Sequence, residues 1–453
     1  MSTRHSKAAE AYLNNDAVVN RHDQTFFGVR QKRDRMAQGL PEWERLREAA
    51  SQIKKHTATH LADYLELFEK NARKNGVHVH WAQDAEEYNS IVADILKEHN
   101  VTKVVKSKSM LTEECHLNEH LEQIGIEVVE TDLGERILQM MKLAPSHIVM
   151  PALHVHREEI AECFRQYGLP VESDDPTHLT YVARMHLRQQ FAEAQCGMTG
   201  GNFGIAETGD VVVCTNEGNA DMSTSIPKLH IVSMGIEKLI PNYQAMGVFQ
   251  RLLARSGTGQ ETTVYTSHFR GPRPGGEMHI VLVDNGRSSI LGNEQHWQTL
   301  KCMRCGACMN TCPVYRRSAG YSYTYFIPGP IGINLGMLRS PERYYDNVSA
   351  CSLCCSCDNV CPVMVDLSPQ VYRWRQQLDS MGHADPMKKM MSKGMSYLFR
   401  HPSVYTGVLR LSPMVNWLPA PLVRMKLNPW AYGHQMMKFP AKSFHQLWKE
   451  KKL

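Results

Sequence analysis

The stretch from Cys302 to Pro362 constrains this chain more than any other. It reads Cys302-x-x-Cys305-x-x-Cys308-x-x-x-Cys312-Pro313, and later Cys351-x-x-Cys354-x-x-Cys357-x-x-x-Cys361-Pro362. Nine of the 13 cysteines fall inside it. Two-residue gaps let three thiolates of one turning loop reach three corners of an iron–sulphur cube. In two-cluster ferredoxins the fourth cysteine of each run ligates the other cluster. By that rule Cys302, Cys305, Cys308 and Cys361 hold one [4Fe–4S] cluster, and Cys312, Cys351, Cys354 and Cys357 hold a second. Structural zinc also takes four cysteines, but zinc ribbons pair two Cys-x-x-Cys knuckles. Pro313 and Pro362 turn the chain away without donating an N–H. Cys355, beside Cys354, breaks the spacing and reads as a small buried residue, as free cysteine often is.

At 453 residues the chain is expected to form two or three domains. No apolar run approaches the length of a membrane-spanning helix. Met1 to Asn20 is polar and has no signal-peptide core, so a cytoplasmic protein is expected. Clustered cysteines in a reducing compartment more often bind metal than form disulfides. The net charge of +5 is uneven: Val371 to Leu453 carries +11 and the remainder −6. The basic character belongs to the tail, which argues against a nucleic-acid partner.

Met1 to Gly39 is polar and reads as a loose arm that packs on another subunit. Pro41 to Asn75 has helical periodicity. Strands are expected at Val77–Trp81, Thr102–Val105, Ile126–Glu130 and His147–Met150. Helices are expected at Ala85–His99, Thr112–Gln123 (capped by Thr112), His156–Tyr167 and Pro176–Ala194. Strands separated by helices argue for a mainly parallel, doubly wound sheet. Further strands are expected at Val211–Cys214, Leu229–Ser233, Thr263–Thr266 and His279–Val283, with a helix over Asn242–Ala254. Pro and Gly between Tyr321 and Gly332 rule out one long helix between the cysteine runs. The tail reads as helical pieces such as Pro386–Arg400, interrupted by Pro402, Pro413, Pro419 and Pro421.

Two stretches read as sites rather than core. Lys106-Ser107-Lys108-Ser109-Met110 follows a strand and precedes a helix, where open α/β sheets collect ligands. Lys106, Ser107 and Lys108 are candidates for holding an anion, helped by the helix N-terminus. Asn202 to Asn219 is turn-rich and flanks one strand. Its Glu207 and Glu217 are candidate general bases or nucleophiles. Asn202, Asn216 and Asn219 are candidate binding residues, unless they only satisfy tight turns. His154 and His156 read as ordinary polar positions more than as metal ligands. Arg270 to Glu277 is a basic Gly/Pro loop. In the tail, Lys388, Lys389, Lys393 and Arg400 alternate with Met390, Met391, Met395, Leu398 and Phe399. Such a face suits docking on sister subunits first and an anionic membrane surface second.

Lys106–Met110, Glu127–Glu135, the Gly201–Asp210 turn, Thr215–Asn219 and Asp284-Asn285-Gly286-Arg287, followed by two ferredoxin motifs, resemble the lactate-utilisation (LUD) family. The resemblance covers roughly residues 40 to 450 and implies the following. The chain has an N-terminal arm over 1–40 and a LUD α/β domain over 41–290, similar to the CoA-transferase and sugar-isomerase group. An α-helical two-[4Fe–4S] ferredoxin-like module follows over 291–371, then an irregular helical docking tail over 372–453. The family members implied are iron–sulphur subunits of complexes that oxidise L-lactate. Their partners are a cysteine-rich-domain iron–sulphur subunit and a second LUD-domain subunit, in the cytoplasm or at the inner face of the membrane. The chain has no flavin or nicotinamide fingerprint, because Gly197, Gly200, Gly201 and Gly204 lack dinucleotide-binding context.

Overall fold

Short aliphatic runs build two sheets in a computed structural model that describes residues 4–383, 386–417 and 439–450. The strands are β1 (His78–Ala82), β2 (Lys103–Lys106), β3 (Glu127–Glu130), β4 (Cys196–Gly200), β5 (Phe203–Ile205), β6 (Asp210–Thr215), β7 (Leu229–Gly235), β8 (Leu239–Ile240), β9 (Tyr265–Phe269) and β10 (Glu277–Val283). The larger sheet has the order β1-β10-β7-β4-β2-β3, and every pair in it is parallel. The chain runs outward from β2 to β3 and in the other direction from β4 through β7. The switch point therefore lies between β2 and β4, whose carboxyl ends form the crevice.

The central strands β7 and β10 are buried on both faces, so their apolar residues run nearly without break. Ile231, Val281 and Val283 face one layer, with Tyr88, Leu96 and Leu121 from the helices above. Their alternates Val232, Met234, Ile280 and Leu282 face the other, with Phe68, Val211, Val213 and Leu239. Val211, Val213 and Leu239 belong to a smaller sheet, ordered β8-β5-β6-β9, that is inserted between β4 and β10 in the chain. The doubly wound sheet agrees with the sequence reading. The second sheet was not anticipated.

Several local expectations are corrected. His147–Met150 is a loop, not a strand. The buried His147 ring uses Nδ1 to accept the N–H groups of Val149 and Met150, each at 3.0 Å, so those amides are not free for a ladder. The Thr112–Gln123 segment breaks into helices Met110–Glu114 and Leu117–Gln123, because His116 takes a left-handed φ of 54°. The cap is Ser109, whose hydroxyl accepts from Thr112 N, and not Thr112.

The N-terminal segment is not a loose arm. It forms helices Arg4–Leu13 and Asp16–Gln38, and the second buries Val19, His22, Phe26, Arg33 and Ala37 along one stripe. His22 and Arg33 within that stripe make it look polar in the sequence. The stripe packs on the cysteine module of the same chain: the His22 ring bonds Arg316 O at 2.8 Å, and Phe26 meets Tyr315 edge-on.

Residues Ser2–Gln377 form one compact unit, and Leu378 onward belongs to a second. The second unit contains helices Pro386–Arg400, Pro402–Leu411 and Phe444–Lys449. The helical run breaks at His401, as expected, and Pro402 opens the next helix. Pro419 and Pro421 lie outside the described residues. No described helix is long and apolar enough to cross a membrane.

Candidate metal centre and adjoining cavity

The two cysteine runs fold as near copies. Arg304 and Leu353, each before the second cysteine of its run, have φ of 61° and 54°. Gly306 and Cys355, each after it, have φ of 78° and 59°. These left-handed residues aim backbone N–H groups inward: Arg304 N lies 3.4 Å from Cys302 Sγ, and Leu353 N lies 3.3 Å from Cys351 Sγ. A short helix follows each (Ala307–Thr311 and Ser356–Val360), then the fourth cysteine. Cys355 is thus the second run's counterpart of Gly306. It is exposed, which corrects the buried reading. Gly306 has a packing reason the second run lacks, since a Cβ there would meet Val149 at 3.1 Å and His147 at 3.2 Å.

The fold returns each run's last cysteine to the other run. Cys361 interacts electrostatically with Cys302, and Cys308 with Cys302, Cys305 and Cys361 as well as with Cys357 of the second run. Cys312 interacts with Cys351 and Cys354, and Cys357 with all three. Among the described residues no cysteine belongs to a group whose ligand atoms close to within 4.8 Å of one another. Four thiolates on one zinc, at 2.3 Å each, would stand about 3.8 Å apart. Burial pushes the Cys312 and Cys361 thiols up to about 11, so at neutral pH it would take a bound cationic metal centre to make thiolates of them.

Two arginines from the N-terminal helices hold the end of the second short helix. Arg33 Nη2 donates to Val360 O at 3.2 Å. Arg47 donates to Cys361 O at 3.0 Å and Asp358 O at 3.2 Å. Cations at helix C-termini complement the dipole, and here they would also offset the negative charge of bound clusters.

A cavity of about 330 Å³ opens at the switch point, lined by Ser107, Lys108 and Ser109 after β2 and by Gly200, Gly201 and Asn202 after β4. Its far wall is the first cysteine loop, through Arg304 and Cys305. The helix Tyr243–Gly257 ends against that loop: a Cβ on Gly257 would lie 2.8 Å from Cys305 O, and Asn310 Nδ2 donates to Gly257 O at 2.9 Å. Among the described residues, three polar atoms of the cavity lining have no hydrogen-bond partner: Ser107 Oγ, Lys108 Nζ and Arg304 Nη1. Lys108 lies 3.4 Å from Glu135 as an ion pair, without hydrogen-bond geometry. Burial, then Asp132, push the Glu217 carboxyl up to about 7, against the Leu133 N–H that it accepts at 3.2 Å. Lys238 lies on the same wall and interacts with Cys302. These groups suit a small organic anion.

Ser107, Lys108, Asn202, Asn216, Glu217 and Asn219 all line this cavity. The asparagines also hold turns: Asn202 Oδ1 accepts Cys214 N at 2.8 Å, Asn216 Nδ2 bonds Gln260 at 2.9 Å, and Asn219 Oδ1 accepts Ala220 N at 2.9 Å. Two expected site residues lie elsewhere. Lys106 is 1% exposed and pairs with Glu130 at 2.7 Å, directly across the β2–β3 register. Glu207 is exposed at the opposite end of β6, where it accepts Tyr243 N at 3.4 Å. Six residues of strand span roughly 20 Å, so Glu207 and Glu217 cannot share a site. His154 bonds Ser146 and Tyr321, whereas His156 bonds Arg21, so they do not converge. Asp132, Glu237, Lys238, Arg287 and Arg304 were not anticipated. The signal for Arg304 was a lone charge inside a cysteine run.

A LUD domain family model matches residues 65–288, and a 4Fe-4S dicluster domain model matches 298–365. Lactate utilization protein B of Geobacillus thermodenitrificans is 42% identical over 420 residues, covering 90% of this chain and 87% of that protein. Its namesake in Shouchella clausii is 41% identical, over 83% and 81%. The chain belongs to the lactate utilization protein B family. An Escherichia coli K12 relative, named an uncharacterized electron transport protein, YkgF, is 38% identical over 92% of this chain and 90% of its own. As a member of the family, the chain joins a parallel-sheet LUD domain to an iron–sulphur dicluster module.

Proposed function

We propose that this chain is the iron–sulphur electron-transfer subunit of a multi-subunit assembly that oxidises L-lactate to pyruvate. The observation that carries the reading is the shared wall, with Arg304 and Cys305 lining the cavity at the switch point. A small carboxylate held there sits beside one four-cysteine set. The other set reaches the surface at exposed Cys354. Two bound [4Fe–4S] clusters would supply one-electron transfer, with potentials tuned by burial and N–H bonds to sulphur. The crossed assignment, Cys302, Cys305, Cys308 and Cys361 against Cys312, Cys351, Cys354 and Cys357, is supported by the electrostatic pairing of the sulphurs. Lactate oxidation removes two electrons and two protons. With no flavin or nicotinamide fingerprint in this chain, the centre that takes the electron pair belongs to the partners: a cysteine-rich-domain iron–sulphur subunit and a second LUD-domain subunit.

In this reading Arg304, Lys108 and Ser107 bind the carboxylate, and Glu217 holds a proton beside it. Glu217 is neutral below its pKa of about 7 and charged above it. The cluster-loaded chain alone is expected to bind L-lactate or pyruvate in calorimetry without turning lactate over in the presence of an artificial acceptor. Affinity should fall as the pH rises from 6 to 8, because a charged Glu217 repels the anion, and E217Q should flatten that profile. Turnover by the chain alone would overturn the division of labour. An unchanged profile in E217Q would overturn the role of Glu217.

The second unit exposes Met390 (62%), Phe399 (61%), Met414 (68%) and Trp417 (94%) beside basic residues. It is proposed to dock on the sister subunits, in the cytoplasm. In flotation with phosphatidylglycerol vesicles at about 0.15 M salt, where exposed charges are screened beyond about 8 Å, the full chain is expected to stay at the bottom. Flotation that is lost in K389Q/K393Q/R400Q would move this face to the inner membrane surface.

A further inference from the structure

We propose a divalent transition-metal site of the zinc class, formed by His99, Glu277 and His279 with His78 beside them. It lies at the amino ends of β1 and β10, the end of the sheet opposite the cavity. Strand alternation assembles it: His78 and His80 share one face of β1, and Glu277 and His279 share the same face of β10. The parallel register sets His78 directly across from His279. His99, the C-cap of the helix Ala85–Glu98, closes over that face.

The ligand atoms of His99, Glu277 and His279 all lie within 4.8 Å of one another. His99 Nε2 stands 2.9 Å from Glu277 Oε2, His279 Nε2 3.0 Å from Oε1, and His78 Nε2 3.4 Å from Oε1. The far nitrogens are already committed. His99 Nδ1 faces Ile95 O at 2.8 Å, so Nδ1–H is committed there and Nε2 is the atom left for the carboxylate or for an ion. His279 Nδ1 meets His80 Nε2 at 3.0 Å, the kind of outer partner that orients a ligating imidazole. Two imidazoles and a carboxylate are a zinc donor set, with a fourth position for His78 or water. His279 is 6% exposed while His99 and Glu277 are 32% and 39% exposed, so an ion has both a fixed floor and a way in. Glu98 adds negative potential at His99 and His80, and Arg73 opposes it at His80. The ion would tie edge strand β1 and the helix end to β10.

The test uses the anaerobic, cluster-loaded full chain, equilibrated with zinc and dialysed into zinc-free buffer. Mass spectrometry of metals is expected to find one zinc per chain besides iron. H99Q and E277Q should each lower zinc affinity tenfold or more, while H154Q keeps it. Iron content should be unchanged in all three, and an unchanged iron content in H99Q, a change at a partly exposed position, shows that the fold is intact. Absence of zinc from the unsubstituted chain, or zinc retained equally by H99Q and E277Q, would overturn the site. The first outcome would leave a proton shared between His99 and Glu277 in its place.

Discussion

Replacing Cys361 by alanine should remove the cluster held by Cys302, Cys305 and Cys308, although Cys361 ends the other sequence motif. The expectation follows from where the chain turns. Cys361 closes the helix Ser356–Val360, its sulphur accepts Val365 N at 3.4 Å, and its electrostatic partner is Cys302. Iron should fall from about eight per chain to about four, as one of two cubes is lost. C312A should lose the same amount from the opposite set. Pairs of substitutions separate crossed from uncrossed ligation without assigning a spectrum. If ligation is crossed, C302A/C361A strikes one cluster twice and keeps about four irons, while C351A/C361A strikes both and keeps almost none. The reverse ranking would refute the crossed assignment. Effects within one cluster are non-additive because its ligands act as a unit. The surviving clusters should also differ in access. The set with exposed Cys354, left in C361A, should yield its iron to a chelator faster than the buried set left in C312A.

What could be read in the sequence depended on how locally each feature is encoded. The dicluster module was legible because three cysteines of each run fall within seven consecutive residues. The central strands were legible because burial on both faces makes Ile280–Val283 a plain apolar run. The cavity was half legible. Ser107, Lys108, Asn202 and Glu217 follow strand ends, where ligands gather. Lys238, Arg287 and Arg304 reach the same space from separate segments with no shared pattern. Lys106 and Lys108 look alike in the sequence. Strand register separates them, giving Lys106 to Glu130 and leaving Lys108 to the cavity. Glu207 and Glu217 were joined by reasoning about one strand, whose length holds them apart. The histidine cluster had a signal, His78-x-His80 and Glu277-x-His279, but only the pairing of β1 with β10 brings the two halves together.

Substituting Arg287 by leucine should cost about 3–5 kcal/mol, the largest single loss of stability expected in the LUD domain. Arg287 is 6% exposed and holds two buried carboxylates. It grips Glu114 with both ends of its fork, at 3.0 and 2.9 Å, and Glu237 through Nε at 2.5 Å. Leucine keeps much of the volume but leaves Glu114 and Glu237, 13% and 5% exposed, without that cation. For Glu237 the balance is clear. Burial pushes its carboxyl up, and Arg287, Lys238 and Arg304 together outweigh that and hold it down to about 2. A carboxyl depressed in the folded state stabilises above its unfolded pKa of about 4.3, and that stability is lost as the pH falls toward 2. Without Arg287 the carboxyl rises, so the variant escapes part of the penalty by taking up a proton. The stability gap between R287L and the unsubstituted chain should therefore be widest near pH 8 and narrow toward pH 5 in anaerobic urea unfolding. E237Q/R287L should recover part of the loss, because it removes one stranded charge. A gap independent of pH, with no recovery in the double variant, would mean that Arg287 acts by packing alone. The consequence reaches the cysteine module. Arg287 lines both the switch-point cavity and a second one of about 410 Å³, which Cys302, Arg304 and Arg339 also line. Arg339 Nη1 in turn donates to Asn285 Oδ1 at 2.8 Å. R287L should thus shift the spectrum of the cluster bound through Cys302 more than that of the set at Cys354, because Arg287 and Cys302 line one cavity.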